Sequence, residues 1–355
     1  MKRNDLAIAV KMVLAGTLAT TLVACGGGGS SSGSGSGETD VSANGTSVGP
    51  VSGFGSVYVN GVRFRTNGNV GSDDGIERED QLEKGMILKV SGSWDDSTGE
   101  GEATEIEYDD TLRGPLQAAS WNDAASSGEL TVAGMTVALN GQTVFQGATA
   151  SDLAANPGIY RVRISAWPLA DGNFRASFVG AVDTTTNAGL SFDDQFEVEV
   201  KGVVAEHDGG ARTFKINGLL VDYASAVGDD DFPLGRIADG VGVEVEGALE
   251  NGVLIAQEVD DEDDFSDLAG DIQIQGAIEG DYSADTRQFT LNGATVQVNN
   301  TEFKDGLFET DLTAGLLVKV EGRFNGQRIL VAREIEPKDG DAEVEATIES
   351  INRGN

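Results

Sequence analysis

The sequence is short of several things, and each shortage excludes something. It has one cysteine, Cys25, in 355 residues, so no disulfide can close within the chain. It has one histidine, His207, so a histidine base could serve a nucleophile at one place only. Proline numbers 6 against 49 glycines and aromatics make up 6%, which predicts many tight turns around thin cores. Basic residues are also scarce, 24 against 59 acidic, for a net charge of -35 at pH 7. Binding phosphates needs Lys and Arg to displace counterions, so nucleic acid and bare anionic lipid are excluded as partners. A charge of this sign first makes a solvated, self-repelling surface. Divalent cations, cationic partners or a saline habitat are the further readings.

What is present begins at the N-terminus. Lys2, Arg3 and Lys11 precede the apolar stretch Met12–Ala24, which is shorter than the about 20 residues a spanning helix needs and reads as a secretory signal. It ends in Leu22-Val23-Ala24-Cys25, which resembles the lipobox of bacterial lipoproteins. That resemblance implies cleavage before Cys25, diacylglycerol on its sulfur and acylation of the new amine. The resulting anchor to the membrane carries enough acyl chains to be stable. Gly26, where enterobacterial retention signals have Asp, favours the outer membrane. Removing the signal takes away three basic residues and Asp5, leaving the mature chain at about -37. The stretch Gly26–Asp40 contains no apolar residue, so it is read as a flexible tether; about 20 such residues span roughly 25 Å.

Beyond the tether the chain repeats itself. YVNGVRF (Tyr58–Phe64), TVAGMTV (Thr131–Val137), KINGLLV (Lys215–Val221) and LNGATV (Leu291–Val296) align on Gly61, Gly134, Gly218 and Gly293, spaced 73, 84 and 75 apart. A second marker follows in KVSGSW, RISAW, VEVEGAL and VKVEGRF. Its small residue (Gly92, Ala166, Gly247, Gly322) lies 31, 32, 29 and 29 positions after the first glycine. In the third copy, period-two alternation predicts strands over Phe196–Glu206, Arg212–Ile216, Leu219–Tyr223, Val241–Leu249 and Val253–Val259. Asn217-Gly218 is the two-residue turn of a hairpin, because a type I′ turn needs positive φ at both central positions. In FTLNGATVQV (Phe289–Val298) the same logic points Phe289, Leu291, Val296 and Val298 at a core. Between the third and fourth strands each copy carries a short segment ending in Gly85, Gly158, Gly240 or Gly315, read as one or two capped helical turns. Five short strands with a small helix after the third predict an all-β protein of tandem OB-like barrels, with a β-sandwich as the alternative.

GPVSGFGSVYVNGVRF (Gly49–Phe64) and the Leu-x-x-Gly-x-x-Val-x-Val-x-Gly pattern of Leu312–Gly322 resemble domain-of-unknown-function family 5666, a bacterial secreted family that recurs on lipoproteins. The resemblance covers most of Thr46–Pro337. It implies a small β-barrel in an extracytoplasmic setting and supplies no activity or catalytic residues. The organisation read from the sequence is therefore a signal peptide (1–24), a tether (25–45) and four copies (46–110, 111–186, 190–265, 269–338). The start of a fifth copy (341–355) follows and breaks off, read as truncation, with a strand that completes a neighbouring barrel as the alternative. The second copy departs from the pattern, with Ala133 for Asn, Ala166 for Gly, and additional Trp121 and Trp167.

Candidate chemistry is sparse. His207 sits beside Asp208-Gly209-Gly210 and is read as a turn residue. Asp229-Asp230-Asp231 and the run Asp260, Asp261, Glu262, Asp263, Asp264 could offer oxygens to Ca²⁺, but neither has EF-hand or nonapeptide spacing, so a solvated linker is the plainer reading. With 59 acids, carboxylate pairs suited to glycoside hydrolysis cannot be singled out. Tyr58, Phe64, Phe214 and Phe289 fall on the alternation of a core rather than on a binding platform. The function expected is that of a lipid-anchored, non-catalytic array that binds, adheres or gives structure, with a protein or polysaccharide ligand and no cofactor. Two alternatives are a cation-stiffened surface array and an envelope enzyme whose site lies in the second copy, near Trp121, Trp167 and Arg161-Val162-Arg163.

Overall fold

The computed structural model describes residues 43–338 apart from 73, 96, 170–171, 187, 190–196, 229–231, 263–269 and 326–328. The lipobox, most of the tether, the start of a fifth copy, Asp229, Asp230, Asp231, Asp263 and Asp264 lie outside the described residues.

Each copy is a closed five-stranded barrel. The first strands are Ala43–Gly53, Leu112–Asn122, Val198–Asp208 and Ile272–Ser283. In the third copy the remaining four are Thr213–Ile216, Leu219–Asp222, Gly242–Glu250 and Val253–Asp261, each end within two residues of the sequence reading. The second strand pairs with the first and third, the third runs parallel to the fifth, and the fourth pairs with the fifth and returns to the first. The other three copies close in the same order, 1-2-3-5-4-1. This is the OB-type barrel rather than the sandwich, and closure removes the free strand edges a short sheet would expose. The segment between third and fourth strands is an α-helix in the second copy (Ala150–Ala155, capped by Thr149) and a single 3₁₀ turn in the others.

The two sequence markers have separate structural causes. All four turns at the first marker take positive φ, at Asn60, Ala133, Asn217 and Asn292 and at the glycine after each. The small residue of the second marker sits where the fourth strand bulges against the fifth: the register slips between Ser91/Gly92, Ser165/Ala166, Glu246/Gly247 and Glu321/Gly322. A Cβ on Gly92, Gly247 or Gly322 would overlap a carbonyl oxygen of the partner strand. The alternating residues between fill the barrels. Phe64, Phe214 and Phe289 are buried, as are Leu291, Val296 and Val298, while Tyr58 is half-buried.

The barrels do not behave as beads on a string. The first strand of copy one runs parallel to that of copy four (Thr46↔Ile272 to Val48↔Ile274), and the first strands of copies two and three pair antiparallel (Arg113↔Glu199, Leu112↔Val200). Copies two and three therefore share one continuous core. Trp167, from copy two, packs into the core of copy four, and Phe178, also from copy two, into that of copy one. The divergent second copy touches all three others.

Candidate functional site

Two junctions form around copy two. The first is buried and charged. Arg113 opens the first strand of copy two and projects toward copy three, where Glu199 faces it. Its Nη1 pairs with Asp74 of copy one, with Asp110 at 2.9 Å and with Glu199 at 2.7 Å, while its Nη2 reaches Glu246 at 2.9 Å. Arg163 donates Nε to Asp110 at 2.7 Å and Nη2 to the Asp74 carbonyl at 2.6 Å. Lys201 of copy three pairs with Asp109 and, at 2.7 Å, with Glu244. The Tyr108 hydroxyl donates to Asp110 at 2.5 Å. Arg113, Arg163, Asp74, Asp110 and Glu199 are almost wholly shielded from water.

Seven carboxyl groups (Asp74, Asp109, Asp110, Glu199, Glu244, Glu246, Glu262) face three cations here. Ionising all of them away from water would be costly, so part of the excess is carried as protons. Burial, then the neighbouring Asp74 and Glu244 charges, push Glu199 well above the ordinary carboxyl range. Both its oxygens are buried, and although Oε2 lies 2.7 Å from Arg113 Nη1, neither accepts a well-aligned hydrogen bond from the described residues. A proton on Glu199 would instead let it donate to Asp74. For Asp74, burial acts upward, but that hydrogen bond and the Arg113 charge outweigh it and hold it low. Burial and the Asp74 charge raise Asp110 to about 6. Burial would lower Lys201, but Asp109 and Glu244 more than offset it and keep the ammonium charged.

Two trios of oxygens lie within 4.8 Å of one another, Asp74/Asp109/Glu199 and Glu199/Glu244/Glu246, a spacing suited to a hard cation. Every member of both trios is already paired with Arg113 or Lys201, so the chain supplies its own positive charge at this place. Of the acidic residues singled out from the sequence, Glu262 comes within 3.9 Å of Lys201 at this junction. Asp260 and Asp261 belong to the fifth strand of copy three rather than to a linker, since alternation continues two residues past Val259, and Asp261 lies 3.7 Å from Arg236.

The second junction is open and uncharged. Where copies one, two and four meet, a cleft of about 510 Å³ is lined by amide side chains: Asn60, Asn140, Gln142, Gln275 and Asn292. Among the described residues the formal charges in its lining are Arg175 and Glu279, bonded to each other at 2.8 Å. Asn60 donates to the Val48 carbonyl at 2.9 Å and across to the Gln273 carbonyl of copy four at 3.1 Å. Asn292 donates to the Gln275 carbonyl at 2.9 Å and accepts from Arg175 of copy two at 3.0 Å. In copy three Asn217 donates to the Gly172 carbonyl of copy two. The asparagine of the Asn-Gly turn is thus more than a residue tolerant of positive φ; in three copies it bonds another barrel. Gly49 and Gly276 make room for it, since a Cβ at either would overlap the Asn60 or Asn292 amide. Gly293 lies against the Pro168 carbonyl of copy two, a second demand for glycine at that turn.

The remaining candidates resolve as follows. His207 is on the last residues of a strand rather than in the turn, because the strand continues past a bulge between Ala205 and Asp208. Its Nε2 is 2.7 Å from the Tyr223 hydroxyl. Trp121 is half-buried, edge-on to Phe145 with ring centres 5.9 Å apart, and donates to Asp123 at 2.9 Å. Arg161 reaches the Glu197 carbonyl of copy three at 3.0 Å. Trp167 and Arg163 are spent on joints between copies.

A chain of OB-type barrels joined through buried cross-copy bonds is a multi-barrel β protein. It belongs to the family described as Domain of unknown function (DUF5666), which matches residues 46–107, 114–180, 201–260 and 275–336. The second copy is thereby a member in spite of its departures. No curated protein matches the chain. A solved structure titled "drosophila Unr CSD456" is similar over 64% of this chain and 97% of its own, at 11% identity and a TM-score of 0.19, too slight a likeness to argue from.

Proposed function

We propose that the protein is a lipoprotein held at the outer membrane through Cys25, and that its four barrels form a single non-catalytic binding body. The observation that carries the reading is the joining of the barrels around copy two, which leaves one cleft at the meeting point of three of them. A flexible acidic array would present four equal surfaces; a joined body presents a shaped, composite one. The lipobox-like Leu22–Cys25 and the following Gly/Ser stretch support the anchor and the spacing from the membrane. Membrane fractionation tests the anchor: Cys25→Ser moves the protein to the soluble fraction, and retention of the variant in membranes removes the anchoring claim. Calorimetry of the soluble variant tests the body: one cooperative transition is expected, and separate transitions for separate barrels would return the chain to a string of beads.

A further inference from the structure

We propose that the cleft between copies one, two and four binds a neutral, hydroxyl-rich ligand, an oligosaccharide without charged groups, through the side-chain amides of Gln142 and Gln275. The inference rests on the reading of the protein as a binding body and names the ligand class of its cleft.

Four features of the cleft select that class. Its volume of about 510 Å³ lies in the range that holds small ligands. Its lining is electrically neutral, because Arg175 and Glu279 satisfy each other, while the chain as a whole carries -35. Among the described residues of the lining, an anionic polymer, already repelled by that surround, would find only the paired Arg175, and a cationic one only the paired Glu279. Next, the Gln275 Oε1 is buried at the edge of the cleft and accepts no hydrogen bond from the described residues. A buried acceptor left without a donor is costly, and a ligand hydroxyl supplies the donor. The exposed Gln142 amide adds both a donor and an acceptor from the loop of copy two. Hydroxyl groups likewise donate and accept, so rows of them match amides without desolvating any charge. Finally, the five barrel strands of each copy are paired on both sides, which among the described residues leaves an extended peptide only the short strands Val144–Gln146, Ala188–Gly189 and Val227–Gly228 as edges.

Isothermal titration of the folded chain tests the assignment, with maltoheptaose, cellohexaose and chitohexaose as neutral probes. An oligogalacturonate and a Gly/Ala-rich peptide serve as the anionic and peptide probes. At least one neutral probe is expected to bind with a Kd of about 1 mM or tighter, and Gln275→Ala and Gln142→Ala each to weaken it about fivefold or more, with unchanged melting temperatures confirming that both variants fold. Absence of a saturable signal from all three neutral probes up to about 10 mM overturns the proposal. Neutral binding that neither variant weakens also overturns it, by placing the site elsewhere. Binding of the oligogalacturonate or the peptide with the same sensitivity to the two variants overturns the ligand class and leaves the binding-body reading standing. Separate melting transitions for the barrels would instead remove the composite cleft and that reading together.

Discussion

The two junctions of copy two are built from the same barrels and differ in almost every physical respect. At the first, Arg113, Arg163 and Lys201 are buried among seven carboxyl groups, and the space between copies one, two and three is filled. At the second, copies one, two and four meet across amides and a single half-exposed ion pair, and a cleft stays open. A buried ion network adds little to stability over a well-packed apolar joint, but removing one partner leaves uncompensated charge in the interior. The charged junction is therefore an assembly device: it tolerates one arrangement of the barrels and penalises the rest. Amides in the open junction can exchange a ligand's hydrogen bonds for water's at small cost, which is what a reusable site needs.

Breaking the charged side should have the largest effect. Arg113→Ala strands Asp74, Asp110 and Glu199, and is expected to cost about 3–5 kcal/mol in urea unfolding. A loss below about 1 kcal/mol would show that the network holds nothing together. Arg113→Lys should recover only part of the loss, because one ammonium cannot reach Asp74 and Glu246 as the guanidinium fork does.

The pH dependence comes next in size and has a definite sign. Asp110, at about 6, and Glu199, well above its ordinary range, bind protons more tightly folded than unfolded. The stability they contribute is complete below the unfolded carboxyl values and is lost as pH rises, for Asp110 through about 6. Asp74 acts in the opposite sense, its contribution lost as pH falls below the ordinary aspartate range. The melting temperature should therefore be highest in mildly acidic buffer and fall toward neutrality. Glu199→Gln keeps a donor toward Asp74 without a proton to lose, so it should flatten that fall and raise the melting temperature at pH 8 relative to the parent. A variant whose profile follows the parent's across the range would mean that Glu199 is not the group that titrates.

How far the sequence reveals these two regions differs as sharply as the regions themselves. Strand order, turn positions and the repeat are legible because they depend on local chemistry: alternation, Asn-Gly turns, and a small residue at each bulge. Joining of the barrels is not legible, because Arg113 meeting Glu199 or Trp167 entering another core depends on contacts between residues far apart in the chain. A trace of it was still visible. The second copy's departures, Ala133, Trp167 and the Arg161–Arg163 pair, mark the barrel that must face three neighbours. Contiguous acids such as Asp260–Asp264 stand out in a linear reading, yet of that run Glu262 is the one that joins the converging acids, which are scattered from Asp74 onward and which only folding collects. Equally, the amide cleft is invisible in a linear reading, since Asn60, Gln142 and Gln275 come from three copies.

The smallest effect belongs to the open junction, and it tests whether the contrast is real. Arg175 and Glu279 are each 23% exposed at the side chain, so solvent screens their attraction, and the pair is worth about 0.3–1 kcal/mol. Arg175→Gln removes that charge and shortens the reach toward the Asn292 side-chain oxygen Oδ1, which Arg175 now meets at 3.0 Å. Urea unfolding should register a loss of about 1 kcal/mol or less, and salt should erase most of the difference between variant and parent. A loss as large as that of Arg113→Ala would mean that both junctions hold the barrels in the same way and that the cleft is only an incompletely filled joint. A small loss, with Glu279 left as the one formal charge in the lining, would instead leave the barrels in place. It would also make the cleft measurably more receptive to cationic probes, as expected of a site whose neutrality is set by this single pair.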